Sequence, residues 1–226
     1  MTINMLKSAL LEIDVQNDFC PSYTRASGET LPPGALAVNR GDQVIPPLNA
    51  LARRFAQEGG RVIATADWHP ANHVSFADSH RDKKPGDTLD LAGGGTQALW
   101  PKHCVQGSAG AEFHEALDLK PVNLILRKGF RTGLDSYSAF FENDRTTPTG
   151  LDGFLRFLNI DTVVIGGLAT DYCVLYSALD AQRLGFRTIL LLDAIQGVGF
   201  PAGSIEAALK AMETAGILLI NSEEIG

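Results

Sequence analysis

The sequence predicts an α/β protein with three layers, α/β/α, built around a mainly parallel sheet of six strands. Six short apolar runs recur along the 226 residues, and most are continuous rather than alternating, which is typical of strands covered on both faces. Segments with helical spacing lie between most of these runs, and such alternation indicates a parallel sheet with helices on its two faces. The six runs are 9–15, 61–66, 123–127, 162–167, 188–193 and 217–220.

Four segments carry apolar residues at helical spacing, and they are 42–57, 151–158, 174–184 and 204–215. The last begins with Ser204, a residue type that caps helix N-termini, and ends before Gly216. We expect residues 1–226 to form one domain. Two long excursions, at about 20–41 and 68–121, interrupt the pattern, and loops of that length in a compact domain are usually functional.

Composition and charge argue against several classes of function. The net charge is −7 and no run of lysine or arginine occurs, so binding to nucleic acid is not expected. The apolar runs are far shorter than the about 20 residues that cross a membrane, and the N-terminus shows no signal-peptide cleavage pattern. The three cysteines, Cys20, Cys104 and Cys173, are an odd number at wide spacing, which favours a reducing, cytoplasmic setting over a disulfide framework.

A charged or reactive residue follows most of the predicted strands at the same edge of the sheet. In chain order these residues are Asp14, Asp67, Lys128, Cys173 and Asp193. Open parallel sheets bind their ligands outside the carboxyl ends of the strands. The sequence therefore predicts a functional site at this edge.

Three of these residues favour covalent catalysis when they are taken together. Alone, Cys173 is more typical of a packed thiol, Asp14 of a turn cap and Lys128 of a solvated lysine. If Thr170 caps the helix that follows, Cys173 lies in its first turn, where the helix dipole stabilises a thiolate. A nearby lysine lowers the pKa of the thiol further, and an aspartate paired with that lysine can accept the thiol proton. The amides of the first turn would also present donors to an oxyanion.

Asp67 and His69, two residues apart at a strand end, form a second group with His103. One carboxylate and two imidazoles suit a catalytic Zn²⁺, Mn²⁺ or Fe²⁺ ion, although the Asp-x-His spacing alone also fits a turn cap. His73 is either a fourth ligand or a residue behind the ligands. Cys104 is left out of the group because neighbours on an extended chain point to opposite sides.

Six segments carry a family resemblance, and they read LLEIDVQNDFCP, ALAVNRGDQVIPPLN, TADWHPANHVSFADSH, LWPKHCVQGSAGAEFH, RKGFRTGLDSYSAFF and GLATDYCVLYSALDAQRLGF. In this order they cover nearly the whole chain, which resembles the nicotinamidases (pyrazinamidases) of the isochorismatase-like hydrolase superfamily. The resemblance implies the isochorismatase-like hydrolase fold. It also implies hydrolysis of nicotinamide to nicotinate and ammonia, and of pyrazinamide to pyrazinoate, in NAD salvage. The oligomeric state stays open, with a homo-oligomer as one option.

The resemblance implies four sets of site residues. The catalytic triad is Cys173, Asp14 and Lys128. The ligands of one divalent metal ion per chain, with zinc as first choice and iron or manganese as alternatives, are Asp67, His69 and His103. The aromatic residues that wall the ring pocket are Phe19, Trp68 and Tyr137. The donors of the oxyanion hole, next to a non-proline cis peptide between Leu168 and Ala169, are the amides of Ala169 and Cys173.

The chain departs from the family pattern at residues 22–32, an insertion that is expected to lengthen a lid over the site. Two other functions stay open. One is a hydrolase of the same superfamily that acts on an amide, ureido or vinyl-ether substrate, against which the complete metal set favours nicotinamide. The other is a non-catalytic module that binds a pyridine-type ligand or a partner protein, against which a nucleophile with its own base argues.

Overall fold

The computed structural model describes residues 1–91 and 95–226. It contains a central sheet and two short hairpins. The ten strands are, in chain order, β1 Ser8–Ile13, β2 Tyr23–Thr24, β3 Thr30–Leu31, β4 Arg61–Asp67, β5 Thr88–Asp90, β6 Thr96–Ala98, β7 Leu124–Lys128, β8 Thr162–Leu168, β9 Arg187–Gln196 and β10 Leu218–Ile220. The excursion at 68–121 contains β5 and β6, and its residues 92–94 lie outside the described part.

The central sheet has the spatial order β10-β9-β8-β1-β4-β7, and every neighbouring pair is parallel. The predicted fold class is therefore confirmed, with one strand for each of the six apolar runs. From β1 the chain builds outward through β4 to β7, and then returns to the other side of β1 to form β8. The carboxyl ends of β1 and β8 thus flank a topological switch point, where sheets of this kind bind ligands.

Four α-helices cover the sheet, and they are α1 Ile45–Gln57, α2 Leu151–Phe157, α3 Leu175–Arg183 and α4 Ser204–Thr214. The buried residues of α1, among them Leu48 and Phe55, pack on one face. Those of α2, α3 and α4 pack on the other face, which completes the three layers. No helix within 1–91 or 95–226 is both long and apolar enough to cross a membrane.

The expectation that Asp193 ends the fifth strand is wrong. β9 continues to Gln196, and its register against β8 shifts at a bulge, from Ile165 opposite Leu190 to Gly167 opposite Ile195. Asp193 lies in this bulge with an exposed side chain. Its carboxylate accepts hydrogen bonds from the amide (2.7 Å) and the hydroxyl (2.6 Å) of Ser222, so it anchors the C-terminal turn rather than the site.

The middle of β1 carries a buried carboxyl group without a partner. Glu12 lies opposite Ala64 of β4 and Gly166 of β8, and its side chain is fully buried. Neither of its carboxyl oxygens has a hydrogen-bond partner among the described residues. Burial, with a smaller contribution from the charge of Asp118, raises the pKa of Glu12 to about 8. The group is therefore mostly neutral at pH 7.

We expect the parent protein to lose stability as the pH rises, and we expect Glu12→Gln to lack this loss. The pKa of Glu12 is higher in the folded chain (about 8) than its ordinary value of 4.5, so its contribution is complete below 4.5 and is lost as pH rises through 8. Across that window the free energy of unfolding of the parent should fall by about 1.4 kcal/mol per pH unit relative to Glu12→Gln. Urea denaturation at several pH values measures this difference.

The matched control is Glu206→Gln, which changes an exposed glutamate on α4. Its stability should follow the parent at every pH. Parallel profiles for the parent and Glu12→Gln would contradict the assignment of a neutral, buried Glu12.

Candidate active site

The structure brings Asp14, Lys128 and Cys173 together at the carboxyl edge of the sheet. Nζ of Lys128 lies 2.9 Å from Oδ2 of Asp14 and 3.4 Å from Sγ of Cys173, and all three side chains are buried. The same ammonium donates to Oδ1 of Asp67 and, at 2.9 Å, to the carbonyl of Ser136. One cation is therefore shared by two carboxylates and the thiol.

The two carboxylate oxygens of Asp14 differ in their surroundings. Asp14 directly follows β1 and has a φ of 49°, a left-handed conformation that aspartate tolerates. Oδ1 accepts a hydrogen bond from the hydroxyl of Thr65 at 2.6 Å. Oδ2 is in ion-pair contact with Lys128, but no described residue gives it a hydrogen bond of normal geometry. Oδ2 is thus the atom that can accept a proton from the thiol.

Burial and the shared cation set the charges of the three groups. Burial raises the pKa of Cys173 well above its usual value, although Lys128 acts in the opposite direction. Burial also raises the pKa of Asp14, again against Lys128. Burial disfavours the ammonium of Lys128, yet Asp14 and Asp67 outweigh this effect and raise its pKa. The resting site therefore holds a charged lysine and a protonated thiol, not the thiolate expected from the helix dipole.

Cys173 lies in a π-helical turn, Thr170–Val174, that leads directly into α3. The expected cap by Thr170 is absent, because Thr170 is already inside this turn and Ala169 holds the N-cap position in an extended conformation. The amide of Val174 closes the turn by donating to the carbonyl of Ala169 at 3.1 Å. The peptide bond between Leu168 and Ala169 is cis.

Asp67, His69 and His103 turn one ligand atom each towards a common point. Oδ2 of Asp67 lies 3.5 Å from Nε2 of His69 and 3.9 Å from Nε2 of His103. Nδ1 of His69 is 2.8 Å from the carbonyl of Gly129, and Nδ1 of His103 is 2.7 Å from that of Pro101. Since a carbonyl only accepts, Nδ1 of each ring carries a proton, which leaves Nε2 of each ring as the atom that can ligate a metal ion. This donor set fits a divalent cation.

The charges of the ligand group also suit a cation. Burial opposes ionisation of Asp67, but Lys128 and His69 hold its pKa well below the usual range. Burial, assisted by His69, lowers the pKa of His103 to about 4, so this imidazole is neutral. Gly129 allows the approach of His69, because a Cβ at Gly129 would lie 2.4 Å from Cε1 of that ring.

Gln16 supports the ligand group and was not found from the sequence. Its side-chain amide donates to the carbonyl of Asp67 at 2.9 Å and accepts from the amide of Asp67 at 2.8 Å. Gln16 is fully buried and also donates to the carbonyl of Ala111. The position of Gln16 in the segment DVQNDF, two residues after Asp14, could have indicated this role. A glutamine at that position could equally have faced solvent.

His73 lies behind His69 rather than beside it. The two rings stack with their centroids 4.2 Å apart. Nδ1 of His73 lies 2.7 Å from the hydroxyl of Ser75, and Nε2 lies 3.3 Å from the carbonyl of Leu134. Both ring nitrogens are therefore engaged within the protein, which favours the second of the two roles considered for His73.

The cysteine and the ligand group line one cavity, and its empty space of about 380 Å³ includes a part that is open to solvent. Cys173 and Ala169 border it, as do Asp67, His69, His103 and Asp135. The remaining lining is apolar or aromatic, and it consists of Phe19, Leu36, Trp100, Tyr137, Tyr172 and Val198. Such a lining suits a small aromatic molecule that carries polar groups.

The prediction that Trp68 walls the pocket is wrong. Trp68 directly follows Asp67 at the end of β4, and because neighbouring side chains point to opposite sides, it faces away from the cavity. Its ring lies under the guanidinium of Arg127, 3.8 Å from the centroid. Trp100 lines the cavity instead, and its Nε1 donates to the hydroxyl of Tyr137 at 2.9 Å. Its position three residues before His103 was the signal that could have identified it.

The insertion at 22–32 does not form the expected lid. It folds as the β2–β3 hairpin and contributes no side chain to the cavity. Arg25 pairs with Glu112 at 2.7 Å, and the ring of Tyr23 packs on that of His114 with centroids 3.8 Å apart. These contacts hold the hairpin against residues 109–115, to one side of the site.

The sequence matches the family described as Isochorismatase domain over residues 8–224. It is 45% identical to a nicotinamidase of Acinetobacter baylyi over 217 residues, which are 96% of this chain and 94% of that protein. A solved nicotinamidase/pyrazinamidase of Acinetobacter baumanii is similar, with a TM-score of 0.87 and 46% identity over 97% of this chain and 98% of that one. A pyrazinamidase of Pyrococcus horikoshii, solved in complex with zinc, has a TM-score of 0.73 and 36% identity over 95% and 99% of the chains.

We expect removal of the Lys128 ammonium to destabilise the fold strongly, because it leaves Asp14 and Asp67 buried without a counter-charge. Lys128→Met should lower the free energy of unfolding by about 3–5 kcal/mol. Lys102→Met is the control, since this exposed lysine pairs with Asp78 and lies over the ring of Phe76, and it should change stability by less than about 1 kcal/mol. Urea denaturation measures both.

A double substitution tests the charge argument itself. Adding Asp14→Asn to Lys128→Met should recover part of the loss, because the neutral amide needs no counter-charge. Simple additivity of the two single effects would contradict a shared buried cation.

Proposed function

The chain belongs to the isochorismatase family, and we propose that its substrate is nicotinamide, which it hydrolyses to nicotinate and ammonia. One observation carries this proposal: a cysteine with its base next to it and a divalent-metal ligand set line the same small aromatic cavity. Pyrazinamide, which keeps a ring nitrogen and a carboxamide, is part of the proposal as a second substrate, and NAD salvage as the process served.

The proposed reaction begins with proton transfer from Cys173 to Oδ2 of Asp14. The sulfur attacks the amide carbon, and the backbone amides of Ala169 and Cys173 donate hydrogen bonds to the oxygen that becomes negative. Asp14 then gives its proton to the nitrogen as the carbon–nitrogen bond breaks, which releases ammonia and leaves a thioester. A water molecule, deprotonated by Asp14, attacks this thioester and releases nicotinate, after which the proton returns to the sulfur.

Lys128 supports these steps by its position. Its ammonium lies within 3.4 Å of the sulfur, so it stabilises the thiolate that forms during proton transfer. It also holds Oδ2 of Asp14 at 2.9 Å, which keeps the base next to the nucleophile. A raised pKa on Asp14 makes this carboxylate a stronger base than an exposed aspartate would be.

Asp67, His69 and His103 would hold one divalent metal ion, with zinc as first choice and iron or manganese as alternatives. When bound, the ion would act as a Lewis acid that binds the ring nitrogen of the substrate and so orients the ring. Phe19, Trp100 and Tyr137 then pack against the ring and exclude water. No specific observation favours a ureido or vinyl-ether substrate.

We expect Cys173→Ala to abolish release of ammonia from nicotinamide while the protein still folds. Loss of a covalent nucleophile lowers kcat by about 10⁴-fold or more. Cys104→Ala is the matched control, because this buried thiol lies outside the catalytic set. A coupled ammonia assay, with circular dichroism for folding, decides the matter. Substantial turnover by Cys173→Ala would remove the nucleophile from the proposal.

We expect His103→Ala to weaken metal binding by about 100-fold or more, because one of three ligands is lost. The parent, loaded with zinc and dialysed, should retain one ion per chain by elemental analysis. His80→Ala is the control, since this ring contacts the carbonyl of Val74 and lies outside the ligand group. In the variant the KM for nicotinamide should rise more than kcat falls. Equal zinc content in parent and variant would contradict the assigned ligands.

A further inference from the structure

The two residues before Cys173 both form hydrogen bonds with the segment that follows β9. We call this segment, residues 197–203, the wall segment. Oδ1 of Asp171 accepts a hydrogen bond from the amide of Val198, and Oδ2 accepts one from the amide of Gly199, each at 2.9 Å. The hydroxyl of Tyr172 donates to the carbonyl of Phe200. The wall segment is therefore fastened to the turn that carries the nucleophile.

Asp171 also reaches the beginning of α4. Its Oδ2 accepts a hydrogen bond from the hydroxyl of Ser204 at 2.6 Å, and Ser204 is the first residue of that helix. The prediction that Ser204 caps this helix is wrong, because Gly203 holds the N-cap position. A carboxylate at a helix N-terminus is favoured by the helix dipole. Asp171 is buried, and its three acceptor bonds join the nucleophile turn, the wall segment and α4.

The wall segment shapes the catalytic cavity. Val198 lines the cavity, as do Tyr172 and Cys173. Gly197 lets the segment pass close to α4, because a Cβ at Gly197 would lie 2.5 Å from Cγ1 of Ile205. Since the amides of Val198 and Gly199 are held by one carboxylate, the position of the Val198 side chain depends on Asp171.

We propose that Asp171 is a positioning residue that determines specificity, by fixing Val198 as the wall that limits the size of the ring the cavity accepts. This rests on the proposed hydrolysis of an aromatic amide. Asp171 does not touch the substrate. It acts through the Val198 and Gly199 amides, which an ionised carboxylate can bind because it is acceptor-only.

The test compares nicotinamide with quinoline-3-carboxamide, which has the same ring nitrogen and amide but a second fused ring. Asp171→Asn replaces one acceptor oxygen by a donor group and so releases part of the wall segment. The KM for nicotinamide should rise about tenfold with kcat changed less than about threefold, and the kcat/KM ratio of the larger to the smaller amide should rise about tenfold. Val198→Ala, which trims the wall directly, should shift the ratio in the same direction.

Two further variants complete the design. Ser204→Ala removes only one of the three bonds and should give a smaller shift of the same sign. Asp180→Asn is the control, because Asp180 pairs with Arg183 on α3 away from the catalytic cavity, and it should leave both constants unchanged. Thermal unfolding of each variant shows whether it is folded.

The outcomes separate this inference from the function on which it rests. If the parent hydrolyses neither amide, the proposed function fails and the inference fails with it. If the parent hydrolyses nicotinamide but the ratio is unchanged in Asp171→Asn, Asp171 is only structural and this inference alone is overturned. If Asp171→Asn does not fold, Ser204→Ala and Val198→Ala decide, and an unchanged ratio in both overturns it.

Discussion

The arrangement of the site depends on one buried ammonium group. Nζ of Lys128 donates to Asp67, Ser136 and Cys173 and is in ion-pair contact with Asp14, so four polar groups surround it. Two carboxylates this deep in the protein would otherwise repel each other and bind protons. With the cation between them they can lie within a few ångströms of each other and of the thiol. The chemistry of the site is thus built around a charge that does not itself react.

Asp67 links the two halves of the site because its carboxylate oxygens face different partners. Oδ1 accepts from Lys128, whereas Oδ2 faces Nε2 of His69 and Nε2 of His103. A change at either oxygen alters the field at the other, so the ligand group and the cysteine share one electrostatic unit. Two hydrogen bonds between the side chain of Gln16 and the backbone of Asp67 hold this residue in place, so each carboxylate oxygen keeps facing its own partners. Supporting hydrogen bonds have the same role in metal sites.

The residues at the ends of β1, β4 and β7 are predictable from the sequence, whereas the bulge that holds Asp193 and the directions of side chains in loops depend on local geometry. Asp14 and Lys128 meet because parallel strands bring their carboxyl ends to one edge, whatever the loops do. Trp68 was misplaced because the pleat turns it away from Asp67, while Trp100 reaches the cavity through a loop without periodic pattern. The hairpin at 22–32 lies to one side because Arg25 pairs with Glu112, a contact between residues far apart in the sequence.

β1 and the residue after it show how neighbours decide what a buried carboxyl group does. Glu12 has no partner among the described residues, so burial raises its pKa to about 8 and leaves it neutral and inert. Asp14, two residues later and equally buried, has a cation at 2.9 Å and a hydroxyl at 2.6 Å. Burial raises the pKa of Asp14 and so makes its carboxylate more basic, while the ammonium of Lys128 acts against that rise and favours the charged form. A carboxyl group that is buried without a counter-charge stays protonated and takes no part in the chemistry. A carboxyl group that is buried beside a cation can exchange a proton with a thiol.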